Sequence, residues 1–523
     1  MSLLKHFATV SSGTATSRVL GFVRDVLMAA GLGAGPVADA FLVAFRFPNM
    51  FRRIFAEGAF NSAFVPLFAK SLEGDGAKTA RRFAEEALSG LVFVLLLLTA
   101  FAEIATVPLT WILAPGFTED PAKFDLTVLL TRICFPYLLF VSVVALLSGV
   151  LNALGRFAVA AFSSAFLNLI LIAVLLAIAF FGLEGTPRAG IWLAWGVFVA
   201  GIVQLLILLL ACRHAGMGLA FVRPRMTPGV RRLLALGIPA VVTGGITQIN
   251  IMVGTIIASM QAGAVAYLYY ADRVYQLPLG IVGTAIGIVL LPELARRLRA
   301  GDHEGVHQAQ NRAFEFTIAL TLPAACALAV ISAPIMRGLF ERGAFDETDT
   351  YATAGALAAY AVGLPAFVLA KVFSPAFFAR EDTRTPMWYA GANAATNIVL
   401  SLAMFPFLKQ VGIALATSIA GWLFAGLLAH RLWRDGNFVP DQRLRVRGVK
   451  AIIASAIMSA VLILGNWLLA PYTGPSREFA NVAVLAALVM AGILTYGVAA
   501  FFLGVMTRKE VVRAFSRPKS PAA

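Results

Sequence analysis

A chain of 523 residues that is 60% hydrophobic and only 13% charged lies far from the roughly 25% charged residues of soluble domains and reads as an all-α polytopic membrane protein. Its net charge of +15 would suit nucleic acid, but the basic residues gather in alternate loops between apolar stretches, so that partner is excluded. The three cysteines, Cys134, Cys212 and Cys326, lie in or beside apolar stretches without disulfide or zinc spacing, and read as small core hydrophobes.

Fourteen apolar stretches approach the roughly 20 residues that span a bilayer, at 10–33, 37–68, 88–113, 126–151, 157–183, 191–212, 233–260, 265–294, 314–335, 352–378, 387–408, 411–430, 451–470 and 482–505. The N-terminus lacks the ordered features of a cleaved signal, so the first stretch is read as retained. It runs S-R-V-L-G-F-V-R-D-V, with Arg18, Gly21 and Asp25 on one helix face and Arg24 beside Asp25. Arg18 can snorkel toward headgroups. Arg24 lies deeper, and the pair is read as facing a chamber, because ionisable groups inside a membrane are functional by default.

The second stretch runs A-D-A-F-L-V-A-F-R-F-P-N-M-F-R-R-I-F-A-E-G-A-F. Pro48 removes a backbone donor, so Pro48–Asn49 is a candidate hinge. Arg53 and Glu57 are spaced to pair with each other, which leaves Arg52 for the chamber. Asp39, near the outer end, is either a gate that pairs across the two halves of the chain or an ordinary interfacial acid. In the third stretch Glu103 has no evident partner. The eighth, with Y-L-Y-Y-A-D-R-V-Y, places Arg273 within reach of Tyr269 and Tyr270 on one face, with Asp272 as a compensating charge; Pro278 suggests a bend there. Lys371, in the tenth, either lines the chamber or snorkels. Arginines gathered in otherwise apolar helices point to a cationic chamber suited to an anion, with phosphate the first candidate.

With the N-terminus inside, most Lys and Arg fall in inside loops, at 70–82, 213–232, 296–312 and 431–450 and in the tail, whereas outside loops lean acidic at Glu119, Asp120, Asp125, Glu341, Asp346, Glu347 and Asp349. That is the positive-inside pattern, and it places both termini in the cytoplasm. The basic surplus also provides contacts for anionic lipid headgroups.

Three landmarks recur at a nearly constant separation. A-P-G-F and E-R-G-A-F place Gly116 and Gly343 227 positions apart; F-V-P-L-F-A and V-L-L-P-E-L-A place Pro66 and Pro292 226 apart; the turns after Leu151 and Phe377 are also 226 apart. The shared offset implies two parallel six-helix repeats, 1–225 and 226–440, followed by two extra helices and a basic tail at 441–523. Two such bundles with a substrate between them is a recurring transporter architecture.

No metalloprotease motif, P-loop, dinucleotide fingerprint or one-faced carboxylate pair occurs. The chain is therefore read as a transporter with no catalytic residue, no metal ligand set and no cofactor, driven by an ion gradient, the membrane potential or substrate supply.

S-R-V-L-G-F-V-R-D, D-A-F, F-P-N-x-x-R-R-I-F-A-E-G-A-F, F-V-P, A-P-G-F, F-P-Y at 135–137 and Y-Y-A-D-R together closely resemble the MurJ (MviN) family. Those proteins are lipid II flippases of bacterial peptidoglycan synthesis, in the multidrug/oligosaccharidyl-lipid/polysaccharide exporter superfamily. The resemblance runs from the first helix through at least the twelfth, and R-R-I-F-A-E-G-A-F is its most specific element. It implies fourteen helices, two six-helix lobes around a cationic cavity, and two C-terminal helices forming a groove for an isoprenoid tail. It assigns the cavity arginines to Arg18, Arg24, Arg52 and Arg273 and matches Asp25 and Asp39 to acidic positions; Glu103 departs from the pattern. It further implies the bacterial inner membrane, lipid II and membrane lipids as partners, and cell-wall synthesis or division proteins as candidates. Some members hold sodium, but the second repeat here offers Asn250, Asn393 and Asn397 in place of convincing carboxylates, so ion coupling stays open. A flippase for another undecaprenyl-linked glycan, a drug/cation antiporter and a membrane transferase are the rivals. The specific motif argues against the first, the excess of arginine over acid in the chamber spans against the second, and the missing catalytic cluster against the third.

Overall fold

In the computed structural model, which describes residues 3–52, 60–475 and 477–505, helices joined by short loops make up the fold, with no strand among the described residues. Hydrocarbon offers a backbone no hydrogen-bond partner, and a helix satisfies its own groups. Nine helical stretches among the described residues are long and apolar enough to cross a membrane. Each of the predicted apolar stretches falls mostly on helix, with short breaks at Ala105 in the third, 135–136 in the fourth and Ile331 in the ninth.

The chain divides into two compact units, Met1–Ala266 with Gly343–Phe345, and Tyr267–Arg342 with Asp346–Ala523. The first contains α1 (Leu3–Leu32), α2 (Pro36–Arg52), α3 (Phe60–Gly74), α4 (Ala77–Ile104), α5 (Thr106–Leu113), α6 (Pro121–Cys134), α7 (Tyr137–Ala153), α8 (Phe157–Phe180), α9 (Pro187–His214) and α10 (Pro228–Ser259). In it α1 lies along α8, α8 on α9, α2 against α6, and α7 against α9. The core between α3, α4, α7 and α9 is filled by Phe64, Phe68, Leu88, Leu147 and Leu151. The second unit is built from α11 (Ala264–Arg299), α12 (His303–Val330), α13 (Ser332–Phe340), α14 (Glu347–Phe378), α15 (Arg384–Arg434), α16 (Gln442–Leu469) and α17 (Glu478–Leu503). There α14 is sandwiched between α12 and α15, and α16 joins α12 to α17.

Caps and breakers explain the boundaries. Asp120 accepts from the Lys123 N–H, Asp346 from Asp349, Asp302 from Gly305 and Asp441 from Leu444, each at a helix start. Asp120 and Asp346 stand at the 226-residue offset of the sequence landmarks. Pro121, Pro187 and Pro228 occupy first-turn positions, where a missing N–H costs nothing. Within α15 the backbone leaves helical geometry at Lys409, with φ 51° and ψ −133°, between the predicted stretches 387–408 and 411–430. Helix continues through Pro48 to Arg52 and through Pro278 and Pro292 in α11. A proline deletes one ladder hydrogen bond; around Tyr275, just before Pro278, aromatic packing on Tyr360 and Phe367 holds the helix in place.

The two landmark loops turn out to be clasps, through Gly116 and through Gly343 and Ala344, residues of the first unit. Gly116 lies so close to the end of α10 that a Cβ would sit 2.3 Å from the Ser259 carbonyl oxygen. Its N–H donates to Ser259 Oγ at 3.3 Å. Gly343 meets the end of α1, where a Cβ would fall 2.4 Å from the Ala30 oxygen, and the Ala344 N–H donates to that oxygen at 2.8 Å. Gly343 (φ +58°) and Gly33 (φ +69°) also need a left-handed backbone.

Gly116→Ala and Gly343→Ala should each destabilise the purified protein by about 2 kcal/mol or more, since a backbone clash cannot relax by side-chain rotation. Gly426→Ala, a helical site with open space around it, should be neutral or stabilising by up to about 1 kcal/mol. Thermal midpoints in detergent decide this: equal midpoints for Gly116→Ala and Gly426→Ala would exclude the clasp.

Candidate functional site

Arg24 is oriented by two neighbours. Its Nε and Nη2 donate to Asp25 Oδ1 at 3.0 and 2.6 Å, and Nη1 donates to Asn168 Oδ1 at 2.9 Å. Adjacent helical residues point about 100° apart, so the long arginine side chain curls back to reach Asp25, which is buried at 2% exposure. Asn168, on α8, is fixed in turn by donating to the Ser17 carbonyl at 3.0 Å. The sequence signal for Asn168 was available, since it is a lone amide in a run of apolar residues. Arg18 lies exposed on the same helix.

Asp39 is fully buried. Its Oδ2 accepts from Lys123 Nζ at 2.6 Å and from the Gly263 N–H at 2.8 Å, while Oδ1 accepts from the Ala266 N–H at 3.0 Å. The ion-pair partner therefore comes from α6, which packs beside α2, and the remaining acceptors hold the turn between α10 and α11. Lys123 is itself buried and lies 3.8 Å from the centre of the Phe117 ring. Lys123, in the loop between the third and fourth predicted stretches, was unforeseen; its position after the Asp120 cap was the available clue. Removing one member of such a pair costs about 3–5 kcal/mol, mostly from the charge left behind.

Arg46, also unforeseen, donates from Nη1 to Thr255 Oγ1 at 2.6 Å, joining α2 to α10. Pro48 is buried and Asn49 partly exposed within continuous helix. Arg53 and Glu57 lie outside the described residues, as does the side chain of Arg52.

In the second unit the Arg273 guanidinium lies over the Tyr269 ring at 4.7 Å. The other expected aromatic, Tyr270, turns away into the core against Phe340. Asp272 approaches Arg273 at 3.9 Å and accepts a hydrogen bond from Gln276. Lys371 crosses α11 at Gly283, where a Cβ would come within 2.8 Å of the ammonium nitrogen. Asn397 Oδ1 accepts from Thr417 Oγ1 at 3.2 Å and from Ser401 Oγ at 3.4 Å, whereas the buried Asn393 Oδ1 has no hydrogen bond. In the first unit, Glu103 Oε1 is likewise buried without one.

Outside the spans, His307 at the start of α12 is held below the ordinary imidazole value, first by burial and then by the charges of Arg380 and His303. Among the described residues no group of His, Cys, Asp and Glu is placed to hold a metal ion. The arrangement is one of positioned cations, with arginine forks that suit phosphate oxygens.

A family model described as lipid II flippase MurJ matches residues 28–507. A probable lipid II flippase MurJ of Rhizobium meliloti is 51% identical over 526 residues, covering 100% of this chain and 98% of the relative. A lipid II flippase MurJ of Burkholderia cenocepacia is 32% identical, covering 95% of this chain and 97% of the relative. Among solved structures, a lipid II flippase MurJ in an inward closed conformation superposes with a TM-score of 0.76 at 25% identity, covering 94% of this chain and 97% of that one. An inward-facing multidrug resistance MATE family transporter, with a TM-score of 0.64 at 15% identity over 80% of this chain and 95% of that one, shares the fold. Matched over most of its length by the family model and over all of it by a relative sharing half its residues, this chain belongs to the lipid II flippase MurJ family.

Proposed function

We propose that this protein moves lipid II from the inner to the outer leaflet of the bacterial inner membrane by alternating access, and that Arg18, Arg24, Arg52 and Arg273 contact its pyrophosphate. The observation that carries the reading is the family match across nearly the whole chain. The pinned Arg24 fork supports it at the level of chemistry. Lipid II has a pyrophosphate between a disaccharide-pentapeptide and a polyprenyl chain. Planar guanidinium forks match phosphate oxygens two at a time, a polar chamber accepts the sugars, and the tail stays in lipid.

Asp25 and Asn168 have a defined part in this scheme. They hold the Arg24 guanidinium in one orientation before substrate arrives, which lowers the ordering cost of binding. Asp25 also offsets the charge of an unloaded cavity. Tyr269 does the same for Arg273 through its ring face. Arg52, one helical turn beyond Pro48, is carried by the end of α2, and the Pro48–Asn49 step is the proposed flexing point. The two apolar helices α16 and α17 present Trp467, Phe479 and Phe502 outward, a surface suited to lipid chains. Outward movement of a dianion is favoured by an inside-negative potential, at roughly 2.3 kcal/mol per charge per 100 mV. That term can drive transport without an NTP-hydrolysis site.

The decisive assay depletes the protein in its host and asks whether lipid II becomes inaccessible to an externally added enzyme that cleaves it. Continued accessibility would refute the flippase reading. In the same strain, Arg24→Ala and Arg273→Ala should each abolish complementation at normal membrane abundance. Arg24→Lys should also be impaired, because a compact ammonium lacks the fork and is captured by Asp25. Normal growth with Arg24→Lys would show that a general positive field suffices.

Both termini are proposed to be cytoplasmic. A cysteine at Tyr351, which is exposed, should react with an impermeant reagent in intact cells, and one at Arg445, also exposed, should not. The opposite result would invert the topology.

A further inference from the structure

The turn between α10 and α11 is gripped from two sides, and Lys123 connects the grips. On one side Gly116 presses on Ser259 and Met260. On the other, Asp39 takes the N–H groups of Gly263 and Ala266. Lys123 Nζ bonds Asp39 at 2.6 Å and lies over the ring of Phe117, the residue after Gly116. Ala266 is the last residue of the first unit before the chain enters the second, so the gripped turn is the crossover itself.

The position equivalent to Lys123 at the 226-residue offset is Asp349. Asp349 accepts from the Tyr267 hydroxyl at 3.1 Å. In that repeat a neutral phenol meets a carboxylate, where the first repeat uses two full charges. The ion pair is therefore a specific feature of the α2–α6 contact and not a general requirement of the fold.

We propose that Lys123 is a positioning residue for transport. Its ammonium keeps Asp39 ionised in a setting without water, so that the carboxylate can hold the crossover turn by backbone N–H groups and release it while remaining compensated. The geometry supplies both halves of this role. Asp39 and Lys123 lie on α2 and α6, which pack side by side, so their pair does not depend on the turn. The turn contributes only two backbone donors, which can find water when it moves away. Without Lys123, holding the turn would require a buried carboxylate charge with no cation beside it, which burial disfavours, so the held state loses stability relative to the released one. This inference rests on the alternating-access reading, in which outer contacts of this kind must be made and broken in each cycle.

The test uses the full-length protein in nanodiscs, with Ser259→Cys as reporter and Cys326→Ala as background. Ser259 is buried under the Gly116 clasp at 2% exposure, so maleimide reaches it only when the turn leaves. Lys123→Met should raise the labelling rate by at least about tenfold, as loss of a buried partner implies. Lys123→Arg, which retains the charge, should stay close to the parent. Asp39→Asn should also raise the rate. In that background Lys123→Met should add less than about twofold, because the two residues act as one unit. An unchanged rate with Lys123→Met, or its full effect persisting beside Asp39→Asn, would overturn the proposal by leaving Lys123 a separate structural role. Should the methionine variant fail to accumulate, Lys123→Gln, which keeps a donor without the charge, is read against the same outcomes. Lipid II accessibility is measured in parallel in depleted cells. Loss of flipping with Lys123→Met and its recovery with Lys123→Arg supports the positioning role. Fast labelling with normal flipping overturns the link to transport. Neither result alters the flippase reading, which stands or falls on depletion of the unaltered protein.

Discussion

Hydrocarbon cannot hydrogen-bond, and nearly every structural choice in this chain answers to that fact. The apolar stretches are carried mostly by helix, because a helix is self-sufficient in a solvent that offers nothing. Where helices end, the exposed groups are met by short polar side chains, as at Asp120, Asp302, Asp346 and Asp441. Where loops meet helix ends, contact is made backbone to backbone, and glycine is the residue that permits it. Gly116 and Gly343 both approach a carbonyl too closely for a Cβ, and both belong to landmark loops repeated along the sequence.

The same solvent governs charge. An ionised group in this setting needs a partner, and the choice of partner decides what the group can do. Arg24 is steadied by Asp25 and Asn168, a carboxylate and an amide that fix the orientation of its guanidinium. Asp39 is held by Lys123 and by backbone N–H groups, an arrangement suited to gripping chain rather than ligand. Arg273 lies over the face of Tyr269 with Asp272 beside it. Arg46 is tied to Thr255 and joins two helices. These environments separate arginines and acids that look alike in a linear reading.

The helices were legible because their signal is local. Hydropathy and length locate each stretch, and prolines and aspartates mark many of the starts. Lys409 shows how closely this can succeed, since the one non-helical step in α15 falls in the short gap between two predicted stretches. Prolines were less informative inside helices. Pro48 and Pro278 suggested a hinge or a bend, and helix continues through both, so neither proline ends its helix. The charged positions in α1, α2 and α11 were also legible, since a charge in an apolar run stands out wherever it is directed.

By itself the sequence determined the class of the protein, the places where helices run, the excess of arginine over acid in the first spans and the motifs that place the chain in its family. Only the tertiary structure decided which groups meet. Asp39 and Lys123 are 84 residues apart, Arg24 and Asn168 are 144 apart, and Arg46 and Thr255 are 209 apart. Separations of that size carry no local signal, because helical periodicity fixes the face a side chain points from and says nothing about the helix it points toward. That second fact depends on which helices pack together and how deeply. It turned Asp39 from a charge near the end of a span into the centre of a buried pair, and Lys123 from an ordinary loop cation into its partner.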